Sequence, residues 1–294
     1  MFQGTIPGPM RAIVRETAAG WPRGPIYVPC CGNFTIERSL AGMGFTVHSS
    51  DVSIYTTAIG RWLTNQPVGI RLRDESVDQL GWLAGSLDDS VGTVATMMLG
   101  TRFLASVGRE GLWHERTVRS YRDQWVAKHA ETVDRLSRAE VELASFEVED
   151  VRTWLQKVPR EAPVCSFPPF YGGGYEKLYE PLNEHFTWDA PDYEPLSDAD
   201  VVDVLGAITD RPYWLTASNH DVPELHPYLR GIIKATPRAA PFYVYASQAP
   251  TRIVAPRQPI EPVTAPRLRS GEELSGPLQL AMLKPGQFNA LRSQ

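Results

Sequence analysis

The chain has 294 residues, 43% of them hydrophobic and 21% charged, with 3 cysteines and a net charge of -5 at pH 7. That length can bury a full core and holds one large domain, or one domain with an insertion. The composition argues against a disulfide framework, a CxxC zinc site and a general cationic coat for nucleic acid. No apolar run approaches the roughly 20 residues of a membrane span, and the N-terminus carries no basic-then-apolar leader, so no membrane partner and a cytoplasmic location are expected.

In chain order, residues 1–23 are punctuated by Gly and Pro and are weakly helical from Pro9 to Thr17, with Arg11 and Arg15 on one side. A surface helix and a ligand-contacting segment are both open readings there. Ile26–Val28 is a β-branched and aromatic run and reads as a first strand. A tight turn follows, Pro29-Cys30-Cys31-Gly32-Asn33-Phe34, then a helix over Ile36–Gly42. Phe45–Ser50 reads as strand two, closed by Asp51, and Ser53–Leu63 as a helix with Ile54, Ala58, Ile59 and Trp62 at helical spacing. Strand, turn, helix, strand, acid is the unit of an open α/β sheet. Its turn lies at the carboxyl edge, where backbone amides approach a nucleotide-like ligand and the acid accepts from ribose hydroxyls. A dinucleotide fingerprint needs three glycines and the turn holds only Gly32, which argues against a nicotinamide dehydrogenase.

From residue 64 to about 138 the α/β alternation stops. This stretch reads as a helical insert domain, with one long polar helix over Arg116–Leu136. Between Arg102 and Arg138 it carries eight Lys or Arg, among them Arg116, Arg119, Arg122 and Lys128, against five acids. The sheet resumes with a strand over Val141–Phe146, an acidic turn ending in Asp150, a helix over Val151–Lys157 and a short strand Val164-Cys165-Ser166. That strand runs into Phe167-Pro168-Pro169-Phe170-Tyr171 and three glycines. Prolines stiffen the backbone and glycines release it, which suits gripping a planar group and closing over it. Ser197–Ile208 reads as a helix with Ser197 as N-cap, Tyr213–Ala217 as a strand ending in Ser218-Asn219-His220-Asp221, Val222–Lys234 as a helix and Phe242–Ala246 as the last strand. From Gln248 on the chain is rich in Pro and Arg, an extended tail before a small element near Leu278–Leu291.

The order of these landmarks over roughly residues 2–247 resembles the Dam-type DNA adenine methyltransferases. In that family a turn for S-adenosylmethionine (SAM) comes first, a target-recognition insert next, an Asp-Pro-Pro-Tyr motif after it and a Ser-Asn-His-Asp strand end last. The resemblance implies a seven-stranded α/β fold, a SAM-methyltransferase-like (Rossmann-like) sheet with a helical insert domain. Residues 1–63 and 139–247 would form the core, 64–138 the target-recognition domain and 248–294 a C-terminal extension. It implies SAM as cofactor and double-stranded DNA as partner. Arg11, Pro29, Cys30, Gly32, Asp51 and Asp150 would serve the cofactor, and Arg116, Arg119, Arg122 and Lys128 the DNA. Ser166, Phe167, Pro168, Pro169 and Phe170 would form the catalytic platform, Phe170 stacking on an extruded adenine and the Pro168 carbonyl accepting from its exocyclic amine.

Two stretches depart from the family pattern. Phe167 stands where a polar side chain accepts the amine's second proton, and loss of one such acceptor can cost about 3 kcal/mol. Ser166 supplies that oxygen if the register shifts by one residue, or is an ordinary strand end. Asn33 and Phe34 stand where a second small residue is usual, which would narrow the cofactor pocket. Such departures look like those of phage proteins similar to antirestriction adenine methyltransferases, which would act in the host cytoplasm and shield viral DNA. Cys30, Cys31 and Cys165 read as small buried residues, with a cysteine nucleophile for pyrimidine methylation as the alternative. His220 reads as an orienting histidine. The resemblance implies SAM-dependent methylation of adenine N6 in DNA. Its rivals are a non-catalytic relative that binds DNA or protein, and a methyltransferase for RNA or a small molecule.

Overall fold

Parallel pairing of short β-branched runs sets the architecture. The computed structural model describes residues 6–138, 141–169, 174–197, 199–234, 241–248, 282–283 and 287–288. The chain divides into two compact units, Met1–Ile253 and Val254–Gln294, and the fold that follows is that of the first. The tail expected from residue 248 onward, and the element near its end, lie almost wholly outside the described residues.

The first unit opens with α1 (Gly8–Ala19), β1 (Pro25–Pro29), α2 (Thr35–Ala41), β2 (Thr46–Asp51) and α3 (Ile54–Leu63). A helix-rich stretch follows: the two-residue β3 (Arg71–Leu72), α4 (Val77–Leu80), α5 (Ser90–Phe103), α6 (Leu112–Asp123) and α7 (Trp125–Ser137). Then come β4 (Ser145–Val148), α8 (Val151–Lys157), β5 (Val164–Ser166), α9 (Gly174–His185), β6 (Phe186–Thr187) and α10 (Asp200–Thr209). The unit closes with β7 (Trp214–Ser218), β8 (Leu229–Ile233) and β9 (Phe242–Ala246).

Seven strands form one sheet in the order β4-β2-β1-β5-β7-β9-β8. Its pairs are parallel from β4 to β7, and β9 runs antiparallel between β7 and β8. This is the seven-stranded, Rossmann-like sheet that the resemblance implies. The chain winds outward from β1 through β2 to β4, then returns to β5 on the other side of β1. The carboxyl ends of β1 and β5 therefore diverge at the switch point, where an open α/β sheet leaves a crevice.

Side-chain alternation divides the core in two. Ile26, Val28, Cys165 and Leu215 face α1, α2, α3 and α5, whereas Tyr27, Val164, Trp214 and Tyr245 face α8 and α10. Among the helices between α3 and β4, α5 is apolar around most of its circumference and is buried from Gly92 to Phe103 on nearly every side, packed on α3, α7 and α9.

Four sequence expectations are corrected. The single helix over 116–136 is two, α6 and α7, broken at Gln124 (φ -108°, ψ 11°). No Gly or Pro marks the break; it falls beside the buried Trp125, whose indole N–H donates to Ser86 Oγ (2.7 Å) and whose ring meets Trp82 edge-on. The strand expected over 141–146 is shifted to 145–148, because its register against β2 runs from His48 opposite Ser145 to Asp51 opposite Val148. Ser197 is not an N-cap: its amide and hydroxyl both donate to Asp200 Oδ2 (2.8 and 2.6 Å), and α10 begins at Asp200. The helix expected over 222–234 is a 3-10 turn, Pro223–Tyr228, followed by β8. Pro227 lacks the amide a helix needs, and the β-branched Ile232-Ile233 pair completes the sheet edge instead.

Gly60 lets α3 lie against β4, since a Cβ there would come within 2.4 Å of the Phe146 ring. Gly60→Ala is therefore expected to destabilise the fold by about 1–3 kcal/mol, the usual cost of overpacking. Urea unfolding checks it, and an unchanged midpoint would contradict the packing described.

Candidate active site

The turn after β1 is shaped by left-handed residues at alternate positions: Cys30, Gly32 and Phe34 each have φ 57°. For Cys30 and Phe34 this is a costly conformation that surrounding contacts must hold. Phe34 is held by burial. Its ring has no solvent exposure and packs against Phe146 of β4 (5.9 Å between centroids), so it points into the core and does not narrow a pocket above the turn. The turn itself is latched to β2. The Cys31 amide donates to the Ser50 carbonyl (3.3 Å), the Gly32 amide to Asp51 Oδ2 (3.0 Å), and Thr56 Oγ1 to the Gly32 carbonyl (2.9 Å). Asp51 Oδ1 accepts from the amides of Val52 (2.9 Å) and Ser53 (3.0 Å). A Cβ added at Gly32 would meet nothing within 4 Å, so the space over the turn is open.

Below the turn lies a second acid. Glu37 of α2 is fully buried, and neither carboxylate oxygen has a hydrogen-bond partner. Burial, with Asp51 nearby, pushes its carboxyl up to about 8. Burial likewise pushes the thiols of Cys30, Cys31 and Cys165 well above their usual range, helped in each case by neighbouring acids. A cysteine nucleophile needs the opposite environment, which favours reading the three as small buried residues.

Asp150 follows β4 by two residues and is the N-cap of α8, accepting from the Arg152 amide (2.8 Å). The Arg152 guanidinium pairs with both Asp150 oxygens (2.9 Å each), donates to Asp200 Oδ1 (3.1 Å) and to the Glu194 carbonyl (2.6 Å). One cation thus ties the 188–196 segment to α8 and α10. Tyr193 of that segment is held above the usual phenol range by burial first, then by the charges of Glu176, Asp51 and Asp150. A cavity of about 270 Å³ opens beside it, lined by Val52 and Ser53 after β2, by Glu176, Tyr179 and Asn183 of α9, and by Arg73, Trp188 and Ala190. Arg73 and Trp188 are fixed by bonds to Asn183. Tyr193 and Trp188 escape sequence reasoning because an acidic loop gives no periodicity, the aromatics in it being the one available signal, and Arg152 because on α8 it reads as an ordinary surface arginine.

At the next carboxyl ends, Ser166 is fully buried, stands opposite Thr216 in β7, and has its hydroxyl 3.5 Å from the Pro29 carbonyl. It is a strand end that ties β5 to β1. Phe167 packs on the core, Pro168 is buried and Pro169 half-buried. Phe170, with Tyr171, Gly172 and Gly173, lies outside the described residues. After β7, the His220 amide donates to Ser218 Oγ (2.9 Å), and Asp221 Oδ1 contacts His226 Nε2 (2.6 Å) and accepts from Tyr245 (3.3 Å). The Asn219 Oδ1 atom is buried without a hydrogen-bond partner.

Residues 2–268 match the family model described as phage DNA adenine methylase-like domain 1. The chain belongs to that family. A comparison with curated proteins gave no match. Membership of the adenine methylase-like family ties the chain to adenine methylation and to DNA as its substrate. The sheet puts the expected landmarks along one edge. Asp51, Asp150 and the Pro29–Gly32 turn come together there, with Ser166–Pro169 and Ser218–Asp221 at the adjoining strand ends. Arg11 lies on the exposed side of α1, and Arg116, Arg119 and Arg122 are exposed on α6. Lys128 of α7 is half-buried, its ammonium 5.4 Å from the Tyr121 ring centre. Among the described residues no cluster of side chains could hold a metal ion, and no helix is long and apolar enough to cross a membrane.

Glu37 makes this methylase-like fold sensitive to pH. The folded carboxyl stays protonated up to about 8 against an ordinary 4.5, so between those values the unfolded chain binds fewer protons and stability falls as pH rises. The full effect is on the order of 3–5 kcal/mol, complete above the folded value. Urea unfolding from pH 5 to 9 is expected to show that decline in the wild type and a flatter profile in Glu37→Gln. Equal slopes would remove Glu37 as its source.

Proposed function

We propose that the protein transfers the methyl group of SAM to N6 of an adenine extruded from duplex DNA. The observation that carries this reading is the meeting of the Asp51-latched turn, the Pro168-Pro169 segment and the Ser218–Asp221 strand end at one carboxyl edge, in a chain of the adenine methylase-like family. Supporting a cofactor there are the open space over Gly32, the acids at the ends of β2 and β4, and the aromatic segment that Arg152 fastens beside them. Pro29, Cys30 and Gly32 would shape the cradle, with Asp51, Asp150 and Tyr193 bordering the nucleoside end. When bound, SAM supplies an already electrophilic methyl group. The chain's task is then to aim the amine, exclude water and accept its protons.

Pro168 and Pro169 give the base a stiff rim, and Phe170 would stack on it. The acceptor missing at Phe167 has a candidate replacement in Asn219. Ser166 and Thr216 are paired, so the segments that leave β5 and β7 start side by side, and Asn219 brings a buried oxygen without a partner to that point. Residues 64–138 would read the DNA through α6 and α7. Methylation by such a protein would hide recognition sites from nucleases, the role of antirestriction methylases; the family's phage character supports that role.

The test is incubation of the full chain and a pool of mixed-sequence duplexes with methyl-labelled SAM, followed by digestion to nucleosides. Label in N6-methyladenine is expected. Its absence, with SAM binding intact, would leave a binding protein that has lost catalysis, and label in cytosine would return attention to the thiols. Within an active protein, Asn219→Ala should lower kcat about 100-fold with little change in KM for DNA, the scale for one lost acceptor. Asn219→Asp should retain most activity, and Phe167→Asp should restore part of it to Asn219→Ala. Full activity in Asn219→Ala would contradict the assignment.

A further inference from the structure

The inner side of α6 is committed to packing: Tyr121 stacks on Phe103 (4.9 Å between centroids) and His114 bonds to Ser106 Oγ (3.1 Å). No residue of the helix is fully buried. On its opposite side Leu112, Arg116 and Arg119 fall together at helical spacings of three and four residues, and Trp113 stands at their flank, its ring edge-on to His114 (4.9 Å between centroids). Leu112 is 70% exposed and Trp113 69%. Single exposed apolar side chains are common, but these are two adjacent large ones, on a face that carries Arg116 and Arg119 together with the acids Glu115 and Asp123. Arginines complement phosphates, and apolar side chains among them are what proteins insert between base steps to unstack a duplex.

We propose that Leu112 and Trp113 form a wedge that enters duplex DNA beside the target adenine and holds the gap the extruded base leaves, with Arg116 and Arg119 on the flanking phosphates. This rests on the DNA methylation reading and adds to it the device that opens the helix. Stacking of this kind is worth roughly 1–3 kcal/mol per base, about 5- to 160-fold in rate or affinity. A wedge is needed only while the adenine is paired. An adenine opposite an abasic site is already partly free.

The experiment uses the full chain and two duplexes of the same mixed sequence, one intact and one with the thymines of one strand converted to abasic sites. Trp113→Ala is expected to lose at least 20-fold in methyl transfer on the intact duplex and less than 5-fold on the abasic one. Arg116→Ala should weaken binding to both duplexes and flatten its salt dependence. Wild-type rates in Trp113→Ala on the intact duplex, or equal losses on both, would overturn the wedge. A second readout stands apart from catalysis: duplexes carrying 2-aminopurine at adenine positions should brighten on binding the wild type and not on binding Trp113→Ala. If the wild type transfers methyl groups to neither duplex, the methylation reading fails. The 2-aminopurine signal then decides the wedge alone, which is upheld if brightening depends on Trp113 and overturned if it does not.

Discussion

The buried carboxylate of Asp51 holds the carboxyl edge of the sheet together. It accepts backbone amides from Gly32, across the β1 turn, and from Val52 and Ser53, at the start of the next helix. Each charge-assisted bond of this type contributes about 1.5–3 kcal/mol, and the buried donors would otherwise be left unpaired. The strained backbone at Cys30 and Phe34 persists because this latch acts from one side while Phe34 is packed against Phe146 from the other. Glu37, buried below the same turn, is kept neutral by that burial and by Asp51's charge. Asp51 is the latch, and Glu37 beneath it is held protonated.

From that latch the site extends outward along the sheet. Ser166 ties β5 to β1 through the Pro29 carbonyl, and β7 lies in register with β5, so three strand ends share one rim. On the other side of β1, Asp150 and Arg152 extend the rim to the 188–196 segment and place Tyr193 near both acids. The sheet supplies the rigid positions and the loops the groups with chemistry, the division expected of an α/β enzyme. Helix α6 exposes Arg116 and Arg119 beside Leu112 and Trp113, the features on which the proposed DNA wedge rests.

Much of this was legible in the sequence, for identifiable reasons. β-Branched runs bounded by Gly and Pro marked β1, β2, β5, β7 and β9; alternation with helices accounts for the parallel pairing of the first four, whereas β9 runs antiparallel. Local propensity misled where long-range pairing decides. Ile232 and Ile233 look helical after an acidic start, yet they complete a sheet edge, and the register of β4 is fixed by β2, 97 residues earlier at His48 and Ser145. The break at Gln124 has no punctuating residue and depends on where the Trp125 ring finds Ser86. Within the site, Gly32, Asp51 and Asp150 were readable from position in the α/β unit. Glu37, Arg152 and Asn219 were not, because nothing local distinguishes a buried, unpaired acid on a helix from an exposed one, or a clamp from a surface arginine.

Everything proposed for the site requires that the latched turn hold SAM. Calorimetric titration of SAM into the full chain, beside Asp51→Asn, tests this most directly. The asparagine keeps the shape of the side chain but loses its charge and one of its two acceptor oxygens. Binding of one SAM per chain is expected, weakened about 10-fold or more in Asp51→Asn, as loss of a charge-assisted bond of about 1.5 kcal/mol or more requires. No binding by the folded wild type, or equal affinity in the two proteins, would contradict the account.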